Sequence, residues 1–184
     1  MKIFIDLGAY KGDTLETALK MFSDFDNFYA FEPLKGHFDI MQARFGNNEN
    51  TFLINAAADI VTGKKIFYLG RGSSAEEAGS LFIRKKDVHK DKAVMVETVD
   101  ISQFIINTFH RDDTIVLKLD IEGKEYDVLE KMLADDSICY ISKLYCEWHN
   151  YLLEEISQER HEKLLSALRA KGLPMTGRND LDEF

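Results

Sequence analysis

Apolar runs of strand length alternate with stretches of helical spacing along most of this chain. Ile3 to Leu7 is a short apolar run stopped by Gly8, and beyond Gly12 the segment from Thr14 to Phe22 carries its apolar residues at helical intervals. The unit repeats at Asn27 to Phe31. That strand ends at Glu32-Pro33, where proline cannot donate a ladder hydrogen bond and suits the start of a helix through His37-Phe38-Asp39-Ile40-Met41. Thr51 to Asn55 and Lys65 to Leu69 read as a third and a fourth strand, the latter followed by a small, polar stretch from Gly70 to Ala75 with the character of a mobile loop. Val94 to Val99 is a further strand, after which Asp100 stands as the N-cap of a short helix through Ile106. Thr114 to Asp120 gives the strongest buried-strand signal and leads through Gly123 into an amphipathic helix from Glu125 to Leu133. Ile138 to Cys146 reads as the final strand, before a helix from Gln158 to Ala170 that Gly172 and Pro174 terminate. The alternation predicts an α/β fold: a mostly parallel sheet with helices on both faces, and ligands in the crevice beyond the carboxyl ends of the strands.

The chain has 184 residues, which bounds it to a single domain over 1–184, with the polar stretch from Met175 to Phe184 read as a loose tail. A formal net charge of −9 argues against a protein whose main work is gripping nucleic acid. Lys85, Lys86, His89, Lys90 and Lys92 do crowd one stretch, which is expected to be a solvated loop. Cys139 and Cys146 are spaced to face opposite sides and suggest no bridge. No run approaches the roughly 20 apolar residues of a membrane span, and the chain opens directly on strand-like residues, so a cytoplasmic protein with no membrane partner is expected.

Candidate chemistry begins at the first strand end. Asp6-Leu7-Gly8-Ala9-Tyr10-Lys11-Gly12-Asp13-Thr14 sets two glycines around a strand-to-helix turn, where absent side chains let backbone amides approach a ligand. The run lacks the third glycine of a dinucleotide fingerprint, and Asp6 and Asp13 bring negative charge where a pyrophosphate would lie. Glu32, at the next strand end, is placed to accept hydrogen bonds from ribose hydroxyls. Together these describe an adenosine cofactor that carries no phosphate but a sulfonium and an ammonium group, which is S-adenosylmethionine. Taken singly the residues have a plainer reading: Gly8 and Gly12 make a tight turn, Asp13 caps the helix and Glu32 is an exposed loop carboxylate.

Ile5 to Thr14, Phe31-Glu32-Pro33, Asn55-Ala56-Ala57 and Lys118-Leu119-Asp120-Ile121-Glu122-Gly123-Lys124-Glu125 together resemble the FkbM family of methyltransferases, over about Ile3 to Trp148. The run from Lys118 is the most specific part, since many methyltransferases share a glycine turn and an acidic second strand. The resemblance implies a Rossmann-like class I methyltransferase fold, S-adenosyl-L-methionine as cofactor, and methyl transfer to a hydroxyl of a small molecule or carbohydrate. It also implies roles. Asp6, Gly8, Ala9 and Gly12 would line the methionine part of the cofactor, with Tyr10, Asp13 and Thr14 in the same turn. Glu32, beside Pro33, would hold the ribose, Asn55 and Ala56 would lie near the adenine, and Asp120 would sit by the transferred methyl. Beyond Trp148 the chain departs from the family pattern: its C-terminal part is shortened, without a clear closing pair of strands. The substrate side is then reduced or supplied by another subunit, which puts a homo-oligomer among the expected arrangements.

Methyl transfer from a sulfonium needs alignment of nucleophile, carbon and leaving sulfur, and a hydroxyl nucleophile must also lose its proton. Asp120 and Glu122 end the most buried strand, and Glu147, His149 and Asn150 end the following one, so they share a crevice. His149 titrates nearest neutrality and is the expected base, with Asp120 positioning the substrate or the cofactor ammonium. Lys118 joins the catalytic candidates as an unusual lysine in an apolar strand, and Glu147-Trp148-His149-Asn150 also reads as polar packing at the sheet edge. A divalent metal on Asp120, Glu147, His149 and Asn150 ranks below metal-free base catalysis, because no fixed ligand spacing supports it. Two rival readings remain open. A dinucleotide or nucleotide-sugar enzyme is opposed by the missing glycine, and a catalytically silent cofactor-binding module would use Tyr145, Trp148, Tyr151 and Leu152 as a partner surface.

Overall fold

A computed structural model describes residues 1–71 and 79–177. In chain order it holds β1 (Lys2–Leu7), α1 (Asp13–Met21), β2 (Asn27–Phe31), α2 (Lys35–Phe45), β3 (Thr51–Ile54), β4 (Ala57–Asp59), β5 (Gly63–Gly70), β6 (Val88–Asp100), α3 (Ile101–Thr108), β7 (Thr114–Leu119), α4 (Glu125–Ala134), β8 (Ile141–Cys146), α5 (Gln158–Ala170) and β9 (Met175–Gly177). Six strands form one sheet in the order β3-β2-β1-β7-β8-β9, and every pairing in it is parallel. Successive side chains leave a strand on opposite faces. Ile3, Ile5 and Leu7 of β1 join Ile115, Leu117 and Leu119 of β7 on the face covered by α3, α4 and α5. Phe4 and Val116 lie on the other face, against Leu15 and Ala18 of α1 and Met41 and Phe45 of α2. Burial on both faces is why these strands read as continuous apolar runs, and each fully buried side chain of this size stabilises the sheet by about 1.5–3 kcal/mol. The α/β architecture read from the sequence is the one observed.

Local signals also appear in place. The Asp100 carboxylate accepts the Gln103 N–H and caps α3, and Ser157 does the same for α5 with Arg160. Both cysteines are free, Cys146 buried and Cys139 exposed. No helix among the described residues is long and apolar enough to cross a membrane.

Several expectations are corrected. β5 and β6 pair antiparallel and leave the main sheet to form a second one with β4, a strand too short and small in its side chains to register in the sequence. The supposed basic loop divides: His89, Lys90 and Lys92 lie within β6, whereas Lys85 is buried. The strand read as starting at Ile138 starts at Ile141, because Ser137–Tyr140 form a turn of 3-10 helix behind Asp136, which has φ 58°. Nor is it the last strand: Met175–Gly177, read as loose tail, pair with β8 through the backbone, an edge pairing that asks little of side chains. Tyr145, Trp148 and Tyr151 share no surface, since Tyr145 is fully buried, Trp148 packs on Tyr126 and His161, and Tyr151 is exposed. Residues 72–78, most of the predicted loop, and 178–184, the rest of the predicted tail, lie outside the described residues.

Candidate active site

The register of the sheet places its polar strand ends level. Leu7 aligns with Phe31 on one side and Leu119 on the other, and Leu119 aligns with Cys146. The chain order reverses between β1 and β7, so the connections beyond these two strands diverge and a crevice opens between them. A cavity of about 350 Å³ lies there, within the size range of small-ligand sites.

One wall is the turn after β1. Gly8 has φ +82°, and a Cβ added to it would stand 1.9 Å from the backbone oxygen of Asp120, so only glycine lets the turns after β1 and β7 approach this closely. Gly12, at φ +90°, presses against the Phe45 ring of α2 and serves packing behind the cavity. Asp13 does not cap α1: it is the helix's first residue, and Arg44 reaches it at 2.6 Å. Glu32 is buried and not an exposed loop carboxylate. It accepts the N–H of Tyr10 at 3.0 Å and of Leu34 at 2.8 Å, with His37 Nδ1 3.5 Å away. This one carboxylate ties the glycine turn to the end of β2 while still lining the cavity.

Beneath the turn is a buried ion pair. Strand alternation sends Asp6 and Lys118 to the same face, where Lys118 Nζ stands 2.9 Å from Asp6 Oδ1, donates to the Gly8 carbonyl at 2.8 Å and lies 3.5 Å from Asp120 Oδ2. The lysine that looked out of place in an apolar strand therefore joins the two turns.

The opposite wall is the turn after β7 with the end of β8. Glu122 and Gly123 both have positive φ, 58° and 114°, which turns the chain sharply enough to bring Glu122 back over the crevice. Burial holds the Glu122 carboxyl above its ordinary pKa, against the pull of His149 and Lys85. Lys85 ion-pairs with Glu122 and, at 2.9 Å, with Asp87. His149 is buried, with Nδ1 hydrogen-bonded to Glu125 Oε1 at 2.9 Å. Burial alone would lower its pKa, but that hydrogen bond and the charges of Glu125, Glu122 and Asp120 outweigh it and raise the value to about 9. With nothing else bound beside it the ring therefore keeps its proton at neutral pH, which does not suit a base.

All five catalytic candidates, Lys118, Asp120, Glu122, Glu147 and His149, line this one cavity. Of the cofactor candidates, Gly8, Ala9, Tyr10, Asp13, Thr14, Glu32, Pro33 and Asp120 line it as well. Asp6 and Gly12 stand behind it, Ala56 is buried outside the lining, and Asn55 spends its amide on the carbonyls of Glu32 and Pro33. Asn150 lies in a short 3-10 turn and does not reach the cavity. The sequence reading missed Asp87, His37 and the apolar wall of Ala57, Ala58, Phe67 and Leu81, as well as Lys85, which reaches the site through Glu122. Strand pairing in the second sheet brings in Ala57, Ala58 and Phe67, and no local spacing announces it.

The chain matches the family model described as "Methyltransferase FkbM domain" over residues 6–173. The chain belongs to the FkbM methyltransferase family. That match spans both turns and both cavity walls. Among solved structures, the methyltransferase FkbM from Methylobacillus flagellatus is similar at 15% identity and a TM-score of 0.45, over 73% of this chain and 30% of that one. The present chain thus corresponds to about a third of that protein's length. No curated protein sequence matches significantly.

Proposed function

We propose that this FkbM-family chain uses S-adenosylmethionine to methylate a hydroxyl group of a small molecule or carbohydrate. The observation that carries the reading is the convergence of the glycine turn, Glu32 and the Asp120 turn on a single cavity at the switch point of the sheet. The residues present fit such a cofactor. The wall by Gly8 admits close backbone approach, and the carboxylates of Asp13, Glu32 and Asp120 suit a cationic ligand better than a phosphate. Two backbone N–H groups occupy part of the Glu32 carboxylate, which has acceptor capacity for about four hydrogen bonds and so retains room for ribose hydroxyls. Asn55 and Ala56 would act on the adenine end by shaping the β2 and β3 termini.

The cofactor, when bound, supplies an activated methyl group. The chain's own work is to align the acceptor hydroxyl and take its proton. Glu147 is the carboxylate we assign to that proton, given the charge His149 carries. Lys118 holds Asp120 and the Gly8 carbonyl in fixed relation.

Calorimetric titration with S-adenosylmethionine and S-adenosylhomocysteine, in the presence of a chelator, tests the cofactor assignment. The wild type should bind both saturably, and Glu32→Ala should weaken binding at least about tenfold through lost ribose contacts and a loosened turn. No binding by the wild type would overturn the reading. Binding with no turnover on any hydroxyl acceptor would return the chain to the silent-module alternative.

A further inference from the structure

The cavity holds a group that methyl transfer leaves unused. His149 is 3% exposed and lines the cavity, yet among the described residues its Nε2 makes no hydrogen bond. Around that nitrogen stand Glu122 Oε2 at 3.5 Å, Glu147 Oε1 at 3.8 Å and Asp120 Oδ1 at 3.9 Å. We propose that Asp120, Glu122 and His149 bind one divalent transition-metal ion of the class that takes imidazole nitrogen together with carboxylate oxygen, such as Mn²⁺, Co²⁺ or Zn²⁺. The proposal goes beyond the methyltransferase reading and does not depend on it.

Geometry comes first. Donor atoms around an ion at about 2.1 Å lie roughly 3.0–4.2 Å apart, depending on the angle between them. The Nε2 separations from Glu122 and Asp120 fall inside that span, and one ligand atom from each of the three residues lies within 4.8 Å of the others. A slight contraction would close the shell, with water completing it.

The support behind the imidazole is of the kind metal-bound histidines have. Glu125, fully buried, accepts a hydrogen bond from Nδ1–H and also from the Ile121 N–H, each at 2.9 Å. It thus fixes the ring so that Nε2, and not Nδ1, faces the cavity. Lys85 grips Glu122 from the other side and steadies its carboxylate. Charge points the same way: Glu122, Glu147 and Asp120 all turn a carboxylate oxygen toward Nε2. An ion would replace the Nε2 proton among these carboxylates. The ligand set differs from the one the sequence suggested, with Glu122 in place of Glu147 and Asn150.

The test uses the full chain, stripped with chelator, dialysed and titrated with Mn²⁺ while the electron paramagnetic resonance signal of the free ion is followed, with no cofactor added. One equivalent of signal should disappear, and His149→Gln and Glu125→Gln should each weaken uptake by about 10- to 100-fold, the range known for outer-shell partners and a minimum for a ligand. Should either variant unfold, selective Mn²⁺ broadening of the His149 ring protons in the wild-type nuclear magnetic resonance spectrum gives the same answer without mutation. Wild-type chain that takes up no Mn²⁺ at millimolar concentration would overturn the proposal. So would uptake undiminished in a folded His149→Gln variant, which would mark capture by scattered carboxylates. Because cofactor binding is measured under chelator and metal binding without cofactor, failure of one reading leaves the other standing.

Discussion

The turns after β1 and β7 lie side by side at the carboxyl ends of the two central strands, and different forces fix them. The first is held mainly by main chain and packing. Gly8 is pressed against the Asp120 carbonyl, Gly12 against Phe45, and the Gly8 and Ala9 N–H groups both bond to the Phe31 carbonyl. The second is held by charged side chains: Lys85 on Glu122, Glu125 between Ile121 and His149, and Lys124 and Arg160 on Asp127. A turn built from backbone contacts offers a fixed surface for a ligand. One built from ionised groups sets the protonation and charge that chemistry needs.

The comparison breaks most readily at Lys118, which belongs to both turns. Lys118→Met should cost about 3–5 kcal/mol in urea unfolding, because it removes the ammonium from a fully buried Asp6 carboxylate. Adding Asp6→Asn should recover a good part of the loss, since a neutral amide no longer needs that partner. A single variant within about 1 kcal/mol of wild type would mean the pair is not what joins the turns. Gly8→Ala tests the first turn alone. It combines a strained positive φ with a Cβ driven into backbone, and we expect a loss of about 2–4 kcal/mol together with faster amide exchange in both turns. Exchange confined to residues 8–12 would show that the two turns are independent.

This contrast also explains what could be read in the sequence. Backbone-built features leave local marks: an apolar run, a glycine at the strand end and a helical interval locate β1, β2, β7 and their turns almost to the residue. Asp100 and Ser157 announce their helices through their own side-chain caps. Charge-built features are long-range and leave few marks. Lys85 sits amid other basic residues, and nothing near it says that its own ammonium is buried against Glu122, 37 positions away. Glu125 looks like an ordinary first-turn acid of α4, although it is the group that orients His149. Pattern alone also could not separate the β5 and β6 hairpin from the main sheet, because each strand is plausible in either.

The smallest expected effect concerns the helix that follows the second turn. Asp127 in α4 receives hydrogen bonds from Lys124 at 2.6 Å and Arg160 at 2.9 Å. Burial pushes its carboxyl pKa up, but these two cations outweigh it and hold it below the ordinary 3.8. A carboxylate whose folded pKa is depressed adds stability above its unfolded value, and that stability is lost as the pH falls through the folded one. Asp127→Asn should therefore be less stable than wild type near neutrality, by roughly 0.5 kcal/mol at this partly exposed site, and the gap should close in acid and shrink in high salt. Urea midpoints across the acid range measure it. Parallel curves for the two proteins would mean that the charges around α4 add nothing to the second turn, and that the two turns are held alike.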